Sequence, residues 1–283
     1  MDFSDILLTV DYDRTLTAPN STIPQRNIEA IEYFIAHGGA FTVNTGRSIP
    51  MAKAFIGKVP LSAPLLLYNG SAAYDVEKQE FTIAYPIDLD ITELTEELQR
   101  LFPHLLVEIQ GVDAHYSLKK DHHWELYSDN GDCTWGYCAP KDIPGPFLKC
   151  SLYGDCGGHC VASMYQATEK EMEEMLSAIA MVRRLYGDRV EVFHPCAKIV
   201  DIHAKGVSKL RSARDLQKAM GRKWLICVGD AENDLQMLEG ADAAFCPADG
   251  VIADRFENVC VCGEGAVAEV IYEKIPAFLQ NRA

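Results

Sequence analysis

The sequence predicts an α/β protein whose parallel-sheet core is interrupted by an inserted α+β module. Four short apolar runs each end in a polar cluster: ILLTV before Asp11, AFTV before Asn44, APLLLY before Asn69 and WLICV before Gly229. Continuous rather than alternating hydrophobicity is typical of strands buried on both faces, as in a parallel sheet covered by helices. Because ligands bind beyond the carboxyl ends of such strands, we expect the four polar clusters to lie together.

A helix is predicted between the first two runs, in the segment PQRNIEAIEYFIAHGG. Its apolar side chains recur at helical spacing, and a glycine pair follows as a stop signal: Ile28, Ile31, Phe34 and Ile35, then Gly38-Gly39. The beginning of the chain is therefore a strand–helix–strand unit.

The segment from residue 84 to residue 197 has a different pattern. Two amphipathic helices, ITELTEELQRLF and TEKEMEEMLSAIAMVRRLY, accompany shorter strand-like stretches, VEIQGVDAHYSL, CSLYGD and RVEVFH. Segregated elements of this kind predict an α+β insertion with a half-exposed, antiparallel sheet. The predicted domains are the core, formed by residues 1–83 and 198–283, and the inserted domain, formed by residues 84–197.

Composition excludes several classes of function. The chain has 283 residues, 48% of them hydrophobic, which is enough for two buried cores. A formal net charge of -15 without a basic stripe disfavours nucleic-acid and anionic-membrane partners. The N-terminus lacks a signal peptide's basic start and long apolar stretch, and ten scattered cysteines do not suggest a disulfide framework, so we expect a cytoplasmic protein. The oligomeric state cannot be predicted from the sequence.

The first polar cluster contains two carboxylates, Asp11 and Asp13, directly after a buried strand. A turn at Asp13 would let Asp11 face an electrophile while Asp13 lies beside a leaving group. Two close carboxylates repel each other, so such a pair needs a cation. The structural alternative is an Asx turn at the end of a strand.

The last cluster, Gly229-Asp230-Ala231-Glu232-Asn233-Asp234, offers a second group of carboxylates. A helix starting here would place Asp230 and Asp234 on one face, although Asp230 could simply cap the helix. Together with the first cluster these oxygens would suit Mg²⁺, which prefers carboxylate, carbonyl and water ligands.

Phosphate-binding groups are predicted between the two clusters. Thr45 can donate a hydrogen bond to a phosphate oxygen, and Gly46 lets a backbone N–H approach closely. The segment from Lys205 to Lys209 supplies point charges, of which Lys205 is interpreted as solvated. Arg47 has two interpretations, a substrate anchor or a partner of an acidic neighbour.

In this order, TVDYDRTL, NTGRS, Asn69-Gly70, GVSK and VGDAENDLQML resemble the motifs of the haloacid-dehalogenase-like phosphohydrolases, and more narrowly their Cof-type branch. The resemblance covers the whole chain. It implies a Rossmann-like core with an inserted α+β (C2-type) cap, and a phosphatase of small metabolites, mostly sugar phosphates. It also implies Mg²⁺ as cofactor and an aspartyl-phosphate intermediate.

The resemblance assigns roles by motif position. Asp11 would be the nucleophile and Asp13 the general acid and base. The remaining implied assignments are metal ligation by Asp11, the Asp13 carbonyl and Asp230, with Asp234 in support; phosphate binding by Thr45, Gly46, Lys209 and Asn233; and substrate contacts by Arg47 and Asn69. Two positions depart from the family pattern, since Arg14 and Leu210 stand where glycine is common.

Two alternative functions remain open: a phosphomutase, which returns the phosphoryl group to its substrate, and a phospho-ligand sensor without turnover. A zinc site in the inserted segment is a further alternative, although its spacings match no common zinc pattern. The residues concerned are His115, His122, His123, His159, Cys133, Cys138, Cys150, Cys156 and Cys160. Trp124, Trp135 and Tyr137 could line a pocket or belong to a core.

Overall fold

The computed structural model describes residues 1–112, 114–118, 134–154 and 166–282. The chain divides into two compact units. The first comprises Met1–Gly46, Phe55–Ile83 and Ser208–Ala283, and the second comprises Arg47–Ala54 and Ala84–Val207. The domain boundaries expected from the sequence, at residues 84 and 197, stay a prediction. No helix within the described ranges combines the length and hydropathy needed to cross a membrane.

The first unit is built on a five-stranded parallel sheet in the order β14-β13-β12-β1-β2. Its strands are β1 (Ile6–Val10), β2 (Ala40–Val43), β12 (Trp224–Val228), β13 (Ala243–Pro247) and β14 (Glu257–Val259). Every residue of β1 and β2 is buried, as continuous apolar runs predict. The predicted parallel-sheet core is confirmed.

The third apolar run was expected to form a further strand of this sheet, and that expectation is wrong in part. Strand β3 (Leu65–Leu67) belongs to a separate three-stranded sheet with β4 (Ala72–Asp75) and β5 (Glu80–Ala84). It meets the parallel sheet through a bridge between Asn44 and Leu66. The turn Tyr68–Gly70 reverses the chain, and β4 then pairs antiparallel with β3. The apolar run therefore forms one strand of a hairpin.

Helices complete the first unit: α1 (Gln25–Ala36), α5 (Lys209–Ala219), α6 (Leu235–Glu239), α7 (Ala266–Glu269) and α8 (Ile275–Gln280). The predicted helix α1 is present. It buries Ile31 and Phe34, while Ile28 and Ile35 lie at the edge of its apolar face. Gly38, at φ +89°, ends the helix as its stop signal predicts.

The second unit is built on a six-stranded sheet in the order β10-β11-β9-β6-β7-β8. Its strands are β6 (Leu106–Gly111), β7 (Ala114–Ser117), β8 (Thr134–Tyr137), β9 (Phe147–Tyr153), β10 (Val190–Cys196) and β11 (Ile199–Ala204), and its helices are α2 (Ile49–Ala52), α3 (Ile91–Leu101) and α4 (Glu169–Tyr186). All its pairings are antiparallel except β7 with β8. Strand β11 pairs within this sheet, although the sequence assigned residues from 198 onward to the core.

The two faces of this sheet differ in chemistry, and both are buried in its central strands β6, β9 and β11. Val107 and Ile109 pack with α3 and α4 in an apolar core. The opposite face carries polar side chains, and the prediction that it would be half-exposed is wrong. We name this set the polar face: Glu108, Gln110, His115, Ser117, Lys149, Ser151, Asp201 and His203, each at most 6% exposed.

Gly70 permits a close approach that predicts a measurable cost for Gly70→Ala. At φ +95°, a Cβ atom here would collide with the backbone carbonyl of Ser208 and lie 2.8 Å from Ser212 Oγ. The left-handed backbone costs a non-glycine residue roughly 1–2 kcal/mol, and overpacking adds about 1–3 kcal/mol. Gly57→Ala is the matched control, because Gly57 has φ +83° and open space around it.

Urea unfolding of both variants measures this difference. We expect Gly57→Ala to lose only the backbone contribution and Gly70→Ala to lose clearly more. Equal losses in the two variants would show that the contact with Ser208 is not restrictive.

Candidate active site

Asp11 lies at the carboxyl end of β1, where its backbone N–H donates to the Val228 carbonyl of the neighbouring strand at 2.9 Å. A single wide turn then begins, closed by the N–H of Leu16 donating to the Asp11 carbonyl at 3.2 Å. Within it Arg14 has φ +61°. Glycine would adopt this left-handed backbone at little cost, whereas Arg14 is held there under strain.

Lys209, the first residue of α5, links two carboxylates from opposite ends of the chain. Its Nζ donates to Asp11 Oδ1 at 2.6 Å and to Asp234 Oδ1 at 2.7 Å. Lys209 is 1% exposed, so both ion pairs are shielded from water. Asn44 at the end of β2 fixes the backbone here, because its Nδ2 donates to the Lys209 carbonyl at 2.9 Å.

Asp230 and Asp234 lie together, but not on one face of a helix as predicted. The helical turn begins at Glu232, so Asp230 precedes it. Asp234 Oδ2 accepts from the backbone N–H groups of Asp230, at 3.1 Å, and Ala231, at 3.2 Å. Asp234 therefore fixes this turn, and the carboxylate of Asp230 is not used as a cap. Thr15 Oγ1 donates to Asp230 Oδ1 at 3.0 Å.

Negative charge is in excess among the buried side chains of Asp11, Asp230, Asp234 and Lys209. Burial, together with the charges of Asp234 and Asp230, raises the pKa of Asp11 well above its usual value, although Lys209 opposes the shift. Burial and the Asp234 charge raise the pKa of Asp230 to about 7. Burial alone would lower the pKa of Lys209, but the carboxylates of Asp11 and Asp234 raise it above its usual value.

These residues fit a hard divalent cation. Carboxylate oxygens of Asp11, Asp230 and Asp234 all lie within 4.8 Å of one another. One ammonium group, that of Lys209, makes ion pairs with this group among the described residues. Three buried carboxylates facing one lysine leave an uncompensated charge, and a cation with oxygen ligands would neutralise it.

The predicted phosphate-binding residues lie on the same unit. Thr45 follows β2 and is buried, and its carbonyl accepts from the Asn69 N–H at 3.0 Å. Asn233 Nδ2 donates to Asn69 Oδ1 at 3.3 Å. A Cβ atom on Gly46 would lie 2.9 Å from that same oxygen. Asn69 is 2% exposed, and its role as a substrate contact stays a prediction.

The structure also gives the exposure or packing of other residues that the sequence analysis considered. Arg47 is half-buried. Leu210 packs against Gly240, so its side chain belongs to the core. Tyr137 is 49% exposed and is not core. Of the residues considered for zinc, His122, His123, His159, Cys133, Cys156 and Cys160 lie outside the described residues, as does Trp124; Trp135 is described by its backbone alone.

Sequence reasoning missed three residues of this site. Thr15 binds Asp230, Asn44 binds the backbone of Lys209, and Gly70 makes room for the start of α5. Thr15 and Asn44 stand within or beside motifs that were recognised, so their polar character at strand ends was an available signal. Their partners lie more than 160 residues away in the sequence, and no local pattern indicates them.

Comparison with known proteins identifies the family. A family model described as haloacid dehalogenase-like hydrolase matches residues 8–136 and 157–251. The chain belongs to this family. The predicted Cof-type haloacid-dehalogenase-like hydrolase, with phosphoric monoesters as its substrate class, is confirmed at the family level.

Individual relatives of this haloacid dehalogenase-like hydrolase are distant. The chain is 20% identical over 259 residues to 5-amino-6-(5-phospho-D-ribitylamino)uracil phosphatase YitU of Bacillus subtilis, covering 89% of this chain and 90% of that protein. A haloacid dehalogenase-like hydrolase from Bacteroides thetaiotaomicron superposes with a TM-score of 0.76 at 20% identity, covering 95% and 98%. The subclass IIB sugar phosphatase BT4131 superposes at 0.75 with 16% identity, covering 96% and 99%. The structural likenesses confirm the fold.

The raised pKa of Asp230 predicts how stability depends on pH without divalent metal. The folded pKa of about 7 exceeds the usual 3.8, so the folded state holds a proton that the unfolded chain releases between those values. Stability should therefore fall as pH rises from about 4 to about 7, by at most about 4 kcal/mol from this group. Asp230→Asn should remove this contribution.

Urea unfolding of wild type and Asp230→Asn in chelator, at pH 5 and pH 8, measures the difference. The comparison is needed because buried His203, with its pKa lowered by burial to about 4, contributes a slope of the opposite sign. We expect Asp230→Asn to be the more stable protein at pH 8 and to lose that advantage towards pH 5. A constant difference between the two would contradict the assignment.

Proposed function

We propose that this protein is a Mg²⁺-dependent phosphatase that hydrolyses a small phosphorylated metabolite through an aspartyl-phosphate on Asp11. The observation that supports it most is the Asp11 carboxylate held 2.6 Å from a buried lysine, beside two further carboxylates. A binding module without turnover has no need for an acid and base at Asp13.

The proposed chemistry uses two aspartates in sequence. An oxygen of Asp11 attacks phosphorus, the ester P–O bond breaks, and the leaving oxygen takes a proton from Asp13. Asp13 then removes a proton from water, whose oxygen attacks phosphorus and releases orthophosphate and free Asp11. Lys209, Thr45, the Gly46 N–H and Asn233 would hold the phosphoryl oxygens, so the reaction depends on positioning and charge stabilisation.

Asp11, the Asp13 carbonyl and Asp230 would hold the metal, with Asp234 positioning the Asp230 loop. Bound Mg²⁺ would supply positive charge that lets the anionic phosphate approach an acidic site. Burial and the neighbouring carboxylates raise the pKa of Asp11, and a bound cation would favour its ionised, nucleophilic form.

A phosphorylated sugar or sugar alcohol is the proposed substrate class. Two of the relatives are named as phosphatases of such compounds, one of a phosphoribityl derivative and one of sugar phosphates. An acidic chain with net charge -15 disfavours polyanionic substrates such as nucleic acid. We expect no nucleic-acid or membrane partner.

Metal dependence is the first test of this function. Chelation should abolish phosphate release from a panel of phosphorylated metabolites, and Mg²⁺ should restore it, because the carboxylate group lacks a compensating cation. Mg²⁺ should also raise the thermal midpoint of wild type, and Asp230→Asn should lose most of this gain. Undiminished activity in excess chelator would contradict the mechanism, and an isomerised product without orthophosphate would indicate a phosphomutase.

The two aspartates of the first motif should respond differently to substitution. Asp11→Asn removes the nucleophile, so turnover should fall to background. Asp13→Asn retains the nucleophile and loses proton transfer, which is typically worth roughly 10²–10⁴-fold. The loss in the transfer step should be small for p-nitrophenyl phosphate, whose leaving group needs little protonation, and large for an alkyl sugar phosphate.

Rapid quenching of single turnovers measures the transfer step separately from hydrolysis of the intermediate. A phosphoenzyme should accumulate in Asp13→Asn with p-nitrophenyl phosphate, because water activation is also impaired. Equal loss of the transfer step in both variants on both substrates would show that the roles are wrongly divided.

A further inference from the structure

Asn44, at the end of β2, is a buried residue that contacts the backbone on both sides of the Asp11–Lys209 ion pair. Its N–H donates to the Val10 carbonyl at 2.9 Å, and that carbonyl belongs to the same peptide unit as the Asp11 N–H. Its side-chain Nδ2 donates to the Lys209 carbonyl at 2.9 Å. Lys209 follows Asn44 by 165 residues, so this one residue joins two distant segments at the ion pair.

The orientation of the Asn44 amide follows from its partner. A carbonyl oxygen only accepts hydrogen bonds, so the amide atom that faces the Lys209 carbonyl is the donor Nδ2. Met237 Sδ lies 3.5 Å from the same nitrogen. Asn44 Oδ1 is buried and has no hydrogen-bond partner among the described residues. The amide therefore makes its one close hydrogen bond with the backbone of Lys209.

Stability alone explains this asparagine poorly. A hydrogen bond contributes a net stabilisation of about 0.5–1.5 kcal/mol, whereas a buried polar atom without a partner costs about 1–3 kcal/mol. These two contributions roughly cancel, and an apolar side chain would avoid the cost. The Lys209 carbonyl would still have a partner, because Ser212 Oγ donates to it at 3.1 Å. The amide of Asn44 is therefore better explained by the geometry that it imposes.

Lys209 is a residue whose backbone needs such a support. It is the first residue of α5, and the ends of helices fray. Its flexible side chain carries a point charge, which does not fix a direction by itself. The ammonium group nevertheless lies 2.6 Å from Asp11 Oδ1 and 2.7 Å from Asp234 Oδ1. The hydrogen bond from Asn44 ties the Lys209 backbone to β2, which pairs with the strand that ends at Asp11.

We propose that Asn44 is a positioning residue, which holds the Lys209 backbone so that the Lys209 ammonium and the Asp11 carboxylate keep the separation that binds the transferred phosphoryl group. The proposal rests on the proposed phosphatase function. A misplacement of about 1 Å in such a group can cost on the order of 10²-fold in rate, so loss of the Asn44 amide should lower kcat. It should also weaken the binding of orthophosphate, because Lys209 supplies a charge for the phosphate oxygens.

The variant Asn44→Ala tests this on the Mg²⁺-supplemented full chain. With p-nitrophenyl phosphate, kcat should fall by at least about tenfold, and the Kd for orthophosphate, measured by titration calorimetry, should rise by at least about tenfold. Mg²⁺ should raise the thermal midpoint of the variant by as much as that of wild type, because the proposed metal ligands are unchanged. A purely structural role would lower the thermal midpoint without weakening phosphate binding by the folded protein.

Two matched variants separate the link to β2 from other effects of substitution. Ser212→Ala removes the other side-chain donor to the same carbonyl and leaves the Asn44 hydrogen bond in place. Thr9→Val replaces a buried hydroxyl of β1 that has no hydrogen-bond partner within the described ranges. Both should keep kcat and phosphate affinity within about threefold of wild type. Asn44→Val also lacks the donor and leaves a smaller cavity, so it repeats the test if Asn44→Ala does not fold.

Several results would overturn the positioning role. These are wild-type kcat or wild-type phosphate affinity in Asn44→Ala, an equal loss in Ser212→Ala or Thr9→Val, or loss of the Mg²⁺ response together with phosphate binding. Wild type that releases no phosphate from any substrate would instead refute the proposed function, and the positioning role with it.

Discussion

The buried ammonium group of Lys209 is the interaction on which the first unit depends. It contacts Asp11 and Asp234, which come from segments 198 and 25 residues away, and it is nearly inaccessible to water. Removal of this charge would leave buried carboxylates unpaired, which typically costs several kcal/mol. One lysine does not balance three carboxylates. Burial and the charge of Asp234 raise the pKa of Asp230, and the excess negative charge favours a bound cation.

The loops around this lysine are held in conformations that ordinary residues seldom adopt. Arg14 and Asn69 have positive φ without being glycine, and Gly70 has positive φ against a neighbouring backbone. Each lies directly after a buried strand, where the rigid sheet can hold a strained turn in place. The sheet thus fixes where the reactive groups lie, and the strained turns fix where they point.

The second unit also buries polar groups at a cost in stability. Its sheet has an apolar face that packs with α3 and α4, as an amphipathic pattern predicts. Its other face buries charged and amide groups, with atoms of Glu108 and Gln110 left without partners among the described residues. On this face His115 Nε2 lies 2.7 Å from Ser48 Oγ.

The sequence by itself determined strands β1, β2 and β12 of the parallel sheet, helices α1, α3 and α4, and the chemistry of the residues at these strand ends. Local periodicity and residue type carry that information. Only the tertiary structure decided that β3 forms a hairpin sheet, that Asp234 rather than Asp230 fixes its loop, and that Asn233 donates to Asn69. These features depend on contacts between distant segments, and a one-dimensional pattern does not record which distant segments meet.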